Sequence, residues 1–561
     1  MSFKNRRKYA SLALVGCFLL GLTSCDPITI HITTDGVNLV ANNDNENGKK
    51  DDNQTGADDK DENQTESDDN NDETETGSND NKDDNQNQTG STGNNQNGSN
   101  QNQGGNNGNQ SEQTGNQQVV KQKVVYVSKS NGKDSSSYGT SSKPYASLSY
   151  ALSKNAGNII EIQDGEFDRI EITESASGTK DSPTVLRAAK GSTVKINGSS
   201  SHAAIYLHNV SNIRIEGIET VGGKYGIRYI SDTDTKSKTI DNVTIKNCHV
   251  HGVRGTHGIC VYGENDVTPI TNLTIDGNEV DDCECGSSES VVVNGNIDGF
   301  LICNNIVHDN NNIGIDMIGF EGTAKHKTTT NGVNPYENDF VRNGVCRDNF
   351  VYNISTVGNS AYYNSSKKKY ELCAGGIYVD GGQDIKIYNN LIYKCNIGIE
   401  VATEHKPKDN ELFKVSGIDV YDNIISNSDG FAGLCFGGYE GDRGYTEAYN
   451  FYNNTLINNE SQIVVQRSKK NKLYNNLIVG GENCVEYSDD CKDDDLENSN
   501  SFYSNAFAVV GDKGTFKESY GTWYTSKSKV IDGIKSKLSG IGSRYIPSDE
   551  ILAIYNSLLK K

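Results

Sequence analysis

Two phrases in this 561-residue chain nearly repeat each other: GIYVD, which ends on Asp380, and IGIEV, which carries Glu400 twenty residues later. A third, IGIDM, places Asp316 in the same kind of surroundings. Each sets one carboxylate inside an apolar, β-rich run, where charge is costly unless it has a use. Carboxylates held close together repel when ionised, so at least one should keep its proton at neutral pH. A protonated acid beside an ionised one is the equipment for cleaving a glycosidic bond. The same three oxygen-rich groups could instead ligate Ca²⁺. Asp380, Glu400 and Asp316 are therefore the candidate catalytic residues, with no metal required in the hydrolytic reading and Ca²⁺ in the other.

The runs around them must be strands for this chemistry to be possible. Aligning the glycine-introduced runs gives one inward row of Ile227, Ile259, Val291, Ile315, Ile377, Ile399, Leu434 and Ile463. A second inward row, two residues on, is Tyr229, Val261, Val293, Met317, Val379, Val401, Phe436 and Val465. Strand alternation then turns the intervening residues outward. One outward column reads Arg228, Cys260, Val292, Asp316, Tyr378, Glu400, Cys435, Val464; the other reads Ile230, Tyr262, Asn294, Ile318, Asp380, Ala402, Gly437, Gln466. The acids fall in three consecutive coils. Tyr378, Tyr262, Asn294 and Arg228 flank them as candidate substrate-binding residues, with Glu404 and His405 on the rim. On strands about 4.8 Å apart, Asp380 and Glu400 stand diagonally with Cα atoms roughly 8 Å apart, and Asp316 and Glu400 about 9.6 Å apart.

From Asn242 onward the phrase containing these strands recurs every 20 to 30 residues or so, as in IKIYNNLIYKCNIGIEVATEH and YNFYNNTLINNESQIVVQR. Such a period in strand-rich sequence requires a solenoid, and the expected fold is all-β, a right-handed parallel β-helix with short helical caps. An Asn recurs at one place in the phrase, at Asn278, Asn305, Asn349, Asn390, Asn423, Asn454 and Asn476, where stacked coils would bond the amides into a ladder. Near the start a short helix over Tyr145–Ser153 is expected to plug one end. At the other terminus Ser548 can cap a helix whose Ile551, Leu552, Ile554, Leu558 and Leu559 would cover the last coil.

The opening VVYVSKSNGKDSSSYGTSSKPYASLSYALSKNAGNIIEIQDGEF, with the repeats, resembles polysaccharide lyase family 9, the pectate-lyase-like β-helix enzymes. That resemblance implies a lysine base and Ca²⁺ held by aspartates, yet no outward-column position here is Lys. GIYVD followed one coil later by IGIEV resembles the motif pair of glycoside hydrolase family 120. It implies Asp380 as nucleophile and Glu400 as acid/base, although Gly381 and Gly382 replace a bulky aromatic of that family. Both imply the same fold and a glycan substrate. A non-catalytic glycan-binding surface is the third reading that the residues leave open.

The rest of the chain speaks to location. Lys4, Arg6, Arg7 and Lys8 precede an apolar stretch, Ala10 to Leu22, too short to span a bilayer. Leu22-Thr23-Ser24-Cys25 resembles the lipobox of bacterial lipoproteins, which implies cleavage and a lipid on Cys25. Residues 1–25 are thus expected to be a lipoprotein signal, 26–118 a disordered tether, 119–545 the β-helix and 546–561 a capping helix. Between Ala41 and Gln118 there are 18 acidic and four basic residues, an excess of 14 that accounts for most of the net charge of −22. Such a stretch cannot bury enough apolar surface to order itself. No basic stripe suggests nucleic acid. Eleven of the 13 cysteines lie beyond the signal without paired CxxC spacing, as core fillers rather than metal ligands, with Cys484 and Cys491 the one conceivable pair. The expectation is a monomer displayed at the outer surface, touching the membrane only through its lipid and acting on an extracellular glycan.

Overall fold

A computed structural model describes residues 18–21, 28–33, 36–41, 121–232, 240–327, 332–438, 444–488, 500–508, 512–514, 518–523 and 541–560; of 18–41, 508, 512–514 and 518 only the backbone is described. Phe18–Gly21, Ile28–Thr33 and Gly36–Ala41 form a small antiparallel sheet, so the start of the expected tether is paired strand, in keeping with the alternation in ITIHIT. Cys25, Cys491 and residues 42–118 lie outside the described residues.

From Val124 on, the chain winds as a right-handed parallel β-helix. Each full coil contributes a strand to each of three parallel sheets. The first runs from Val124–Val127 to Ser501–Tyr503, the second from Gly165–Asp168 to Gly521–Trp523, and the third from Ile170–Thr173 to Asp512–Gly514. Inward side chains of all three make one continuous apolar core.

The corner between the first and second sheets explains the recurring Asn. At Asn304, Asp348, Asn389, Asp422, Asn453 and Asn475 the backbone has φ between 53° and 56°. Asn and Asp tolerate this left-handed region because their short polar side chains bond locally. The next residue is the ladder Asn, and its amide does three things. Asn390 is fully buried; its Oδ1 accepts from the backbone N–H and Nδ2 of Asn349, both at 3.0 Å, and its Nδ2 donates to Asn423 Oδ1 at 2.9 Å and to Cys346 O at 3.1 Å. The chain of amides runs without a break from Asn278 to Asn476 and continues to Asn505, one coil beyond the expected series. Cys248 extends it at the other end through its backbone N–H alone.

At the corner leading into the third sheet six coils carry a glycine for lack of space, while Ala204, Ser290 and Gln462 stand there in others. A Cβ on Gly398 would lie 2.3 Å from Ile425 Cγ2 and 2.4 Å from Gly433 O of the next coil, so no side chain fits. Gly226, Gly258, Gly314, Gly376 and Gly433 meet the same crowding in their own coils.

The helix Leu148–Lys154 plugs the first coils as expected, with Leu148, Ala151 and Leu152 in the core and Ser147 capping its N-terminus. The second helix, Asp549–Leu558, is capped by Ser548, but it does not cover the last coil. It lies on the outer face of the second sheet, against Phe350, Tyr352, Leu391, Tyr393, Ile424 and Ile457, with Tyr555 fully buried there. The aromatic side chains that project from those coils give its apolar stripe a surface to bury against. No described helix is long and apolar enough to cross a membrane. Cys248, Cys260, Cys283, Cys285, Cys303, Cys346, Cys395 and Cys435 are buried within the coils, while Cys373 is exposed.

Replacing Asn390 by Ala strands amide and carbonyl groups of two neighbouring coils in a dry corner, at ~1–3 kcal/mol for each group left unpaired. Asn390→Ala should therefore lower the melting temperature clearly, by the equivalent of about 3 kcal/mol, and a thermal melt followed by circular dichroism would show it.

Candidate functional site

The third sheet carries the acids, and its pairing matches the expected register. Arg228, Cys260, Val292, Asp316, Tyr378, Glu400, Cys435 and Val464 pair in that order across eight strands. In the other column Ile230, Tyr262, Asn294 and Ile318 pair in turn, as do Asp380, Ala402 and Gly437, but Ile318 and Asp380 do not. There the strand Ile315–Ile318 peels away: Ile318 makes an antiparallel bridge to Gly381, Gly319 N–H donates to Asp380 O at 2.7 Å, and Phe320 follows with φ of 74°. A bulky residue in the left-handed region is strained and has to be held there by its surroundings. Phe320 is held by Phe340 and Phe413, with ring centroids 5.2 and 5.3 Å away.

This departure raises a wall over the sheet. Tyr336 and His405 also pack on Phe413, Asn334 and Asn410 exchange amide hydrogen bonds of 2.9 Å, and buried Asp339 accepts from the N–H groups of Gly322 and Ala324. Burial pushes the Asp339 carboxyl up to about 6. On another side Asn359 donates to Gly286 O and Asn311 O, and Asn312 to the Tyr362 hydroxyl. The outward face of the sheet is therefore sheltered at the acids rather than open to solvent. Asp316 is 2% and Asp380 7% exposed, and Glu400 is half-buried.

Shelter sets the electrostatics. Glu400 is pushed up to about 8, first by burial and then by the charge of Glu404. Asp316 is raised well above the usual carboxylate range by burial, Glu289, Asp380 and Glu400. Asp380 is raised likewise, by burial, Glu404 and Glu321. The two aspartates each accept one backbone N–H, from Met317 at 2.7 Å and from Glu404 at 3.2 Å, which favours their ionised forms. Tyr378, between Asp316 and Glu400 in the column, is itself raised by burial and these charges, so its hydroxyl stays a neutral donor.

Two participants escaped the sequence reading. Glu289 is buried and pushed up to about 8 by burial and by Glu321 and Glu404. His257 lies beside it, its Nδ1 3.3 Å from the Glu289 carboxylate and 3.1 Å from Glu289 O. The shorter contact, to a carbonyl that only accepts, favours the hydrogen on Nδ1 over the longer approach of the Glu289 N–H at 3.4 Å, and leaves Nε2 to accept from the Tyr262 hydroxyl at 2.8 Å. Burial lowers this imidazole to about 4. Both residues precede the aligned positions, where the corner, Gly258 in one coil and Ser290 in the next, interrupts strict alternation. Gly258 and Ile259 both face inward, and His257 faces out as the start of a third outward column with Tyr225. Counting outward positions across the glycine would have found it.

The remaining expected residues are distributed along the outward face of the third sheet and its rim. Arg228 lies three strands from Asp316, about 14 Å by strand spacing, with its guanidinium over Tyr225 at 4.6 Å and Tyr206 at 5.8 Å. Cys260, Val292, Ile318, Tyr225 and Tyr262 form an apolar floor between. Asn294 is buried and its Oδ1 finds no partner. Glu404 is an exposed rim residue, and His405 Nε2 is 2.9 Å from Glu321 rather than turned to the acids.

Calcium requires several oxygens converging on one point. Among the described residues, the groups that bring three His, Cys, Asp or Glu ligand atoms within 4.8 Å of one another lie on the second sheet and include none of these acids.

The protonated acids bear on stability with a definite sign. Glu400 and Glu289 hold protons in the folded chain up to about 8, whereas in the unfolded chain they ionise near 4.5. The folded state thus binds more protons between those values, and stability is lost as pH rises through that window. The melting temperature should fall from pH 5 to pH 8.5, and Glu400→Gln or Glu289→Gln should each flatten that fall; an unchanged slope in both would contradict the assignment.

No family model matches the chain. The uncharacterized protein YwoF of Bacillus subtilis is 34% identical over 386 residues, 64% of this chain and 75% of that protein. A cell surface glycoprotein of Methanothermus fervidus is 27% identical over 315 residues, 52% of this chain and 49% of its own. Solved structures include the pectate lyase Pel9A, at 14% identity with a TM-score of 0.39, covering 73% of this chain and 83% of that one. A lacto-N-biosidase from Eubacterium ramulus is 12% identical with a TM-score of 0.42, covering 70% and 68%.

Proposed function

The chain belongs to the family of Bacillus subtilis YwoF, and for this member of it we propose hydrolysis of glycosidic bonds in an extracellular polysaccharide or oligosaccharide. One observation carries the reading. Asp316, Asp380 and Glu400 occupy consecutive coils in a sheltered cleft where all three hold protons more tightly than ordinary carboxylates.

Glu400 accepts no backbone N–H among the described hydrogen bonds and is protonated at neutral pH, which suits the general acid that protonates the leaving oxygen. Asp380, although burial, Glu404 and Glu321 raise its carboxyl too, accepts the Glu404 N–H, which favours its anion; in that ionised form it takes the part of nucleophile toward the anomeric carbon. Once the leaving group departs, Glu400 is left ionised and removes a proton from the incoming water. Asp316 shares the proton balance of the pair or holds a sugar hydroxyl. The floor running to Arg228, Tyr225 and Tyr206 gives an extended glycan length to lie along, with Tyr378, Tyr262 and Asn294 as hydrogen-bonding groups on the way. The name of the Methanothermus relative accords with display at the cell surface, here through a lipid on Cys25.

The alternative is a Ca²⁺-dependent lyase, in which the same acids would hold the ion; a purely glycan-binding cleft is a further alternative. The number of carboxylates favours the first of these, and the lack of a lysine among them weighs against it.

Incubation of the chain with a panel of plant and algal polysaccharides, with and without a chelator, separates these readings. New reducing ends that do not absorb in the ultraviolet and are indifferent to the chelator are expected. On a substrate so identified, Asp380→Asn and Glu400→Gln should each lower kcat by about 10²–10⁴-fold. Full activity in both variants would sink the assignment, and chelator-sensitive unsaturated uronate would replace it with the lyase.

A further inference from the structure

On the outer face of the second sheet, not the third that carries the acids, a different set of side chains converges. The strand His249–His251 reads His-Val-His, so alternation turns both imidazoles outward. Their rings stack with centroids 4.3 Å apart. In the preceding coil Glu219 pairs with His249 across the sheet, and its Oε1 lies 3.1 Å from His251 Nε2. One ligand atom from each of Glu219, His249 and His251 lies within 4.8 Å of the other two, and all three side chains are half-buried.

We propose that Glu219, His249 and His251 bind a divalent transition-metal ion of the zinc class. Two imidazoles and one carboxylate are a donor set that suits zinc far better than calcium or magnesium. The donors stand on two rigid neighbouring strands, so little ordering is needed for them to meet an ion. A carboxylate beyond them supports the arrangement: Asp281, in the following coil, is 2.7 Å from His249 Nε2. A competing set, His249 with Glu279 and Asp281, also gathers within 4.8 Å, but it holds a single imidazole. Lys195 reaches Glu219 Oε1 at 2.7 Å and is the cation that an ion would have to displace.

That last contact makes the proposal separable from a mere ladder of ion pairs. Zinc would be titrated into the purified chain against a chromophoric chelator, with the melting temperature followed in parallel. One bound zinc per chain at this site, with a rise in melting temperature, is expected. His251→Ala and Glu219→Gln should each weaken it by ~10-fold or more, since loss of even a supporting hydrogen bond costs 10–100-fold. Lys195→Ala should tighten binding, because it removes the competitor. Equal melting temperatures of the metal-free variants would confirm that each is folded. Undiminished zinc affinity in His251→Ala, loss of binding in Asp281→Asn with retention in His251→Ala, or no zinc binding at all would each overturn the assignment.

Discussion

The molecule depends on one repeated distance. Backbone hydrogen bonds hold successive coils about 4.8 Å apart, and the buried Asn ladder fixes which residue of one coil faces which residue of the next. Each ladder amide donates to the coil before it and accepts from it, so a slip by one residue would break bonds at the corner and turn every inward side chain outward. The price of the left-handed residue before each Asn from Asn278 to Asn476 is small because Asn, Asp or Gly supplies it, and only at the last rung does Ser504 take that place. Once the register is locked, a residue's place in the sequence determines its column on the sheet.

The acid cluster is a product of that lock. Three carboxylates on flexible loops would turn apart and ionise. On consecutive strands, walled by Phe320, Phe413 and their neighbours, they stay near one another in poorly solvated surroundings and retain protons instead. The strained Phe320 belongs to the same arrangement, because the strand must leave the sheet after Met317 to make the wall that shelters Asp380. The register sets the acids' separation, and the wall sets their protonation.

Much of this was legible in the sequence, for definite reasons. A solenoid repeats its local rules, so alternation read in one coil transfers to the next, and the column from Arg228 to Val464 follows from apolar periodicity alone. Legibility ended where the repeat did. Glu289 and His257 were passed over because the corner breaks alternation just before the strands that were aligned. The wall was invisible because its loops occur once each and obey no period. The second helix was recognisable as a helix with an apolar stripe, but a stripe does not name the surface it covers. The matching signal was Phe350, Tyr352 and Tyr393, large aromatic side chains facing away from the core.

That helix gives the molecule a fastening which a simple solenoid lacks. In a plain stack each coil touches only its neighbours, and opening can start anywhere and spread. Here Tyr555 rests on Phe350 and Tyr393, in the two coils whose third strands bear Asp380 and Glu400. During synthesis the coils emerge and stack in order, but the clasp over these two emerges much later. Until that helix is in place, the coils that bring the acids together have only their neighbours to hold them, and Phe350 and Tyr393 lack their apolar cover.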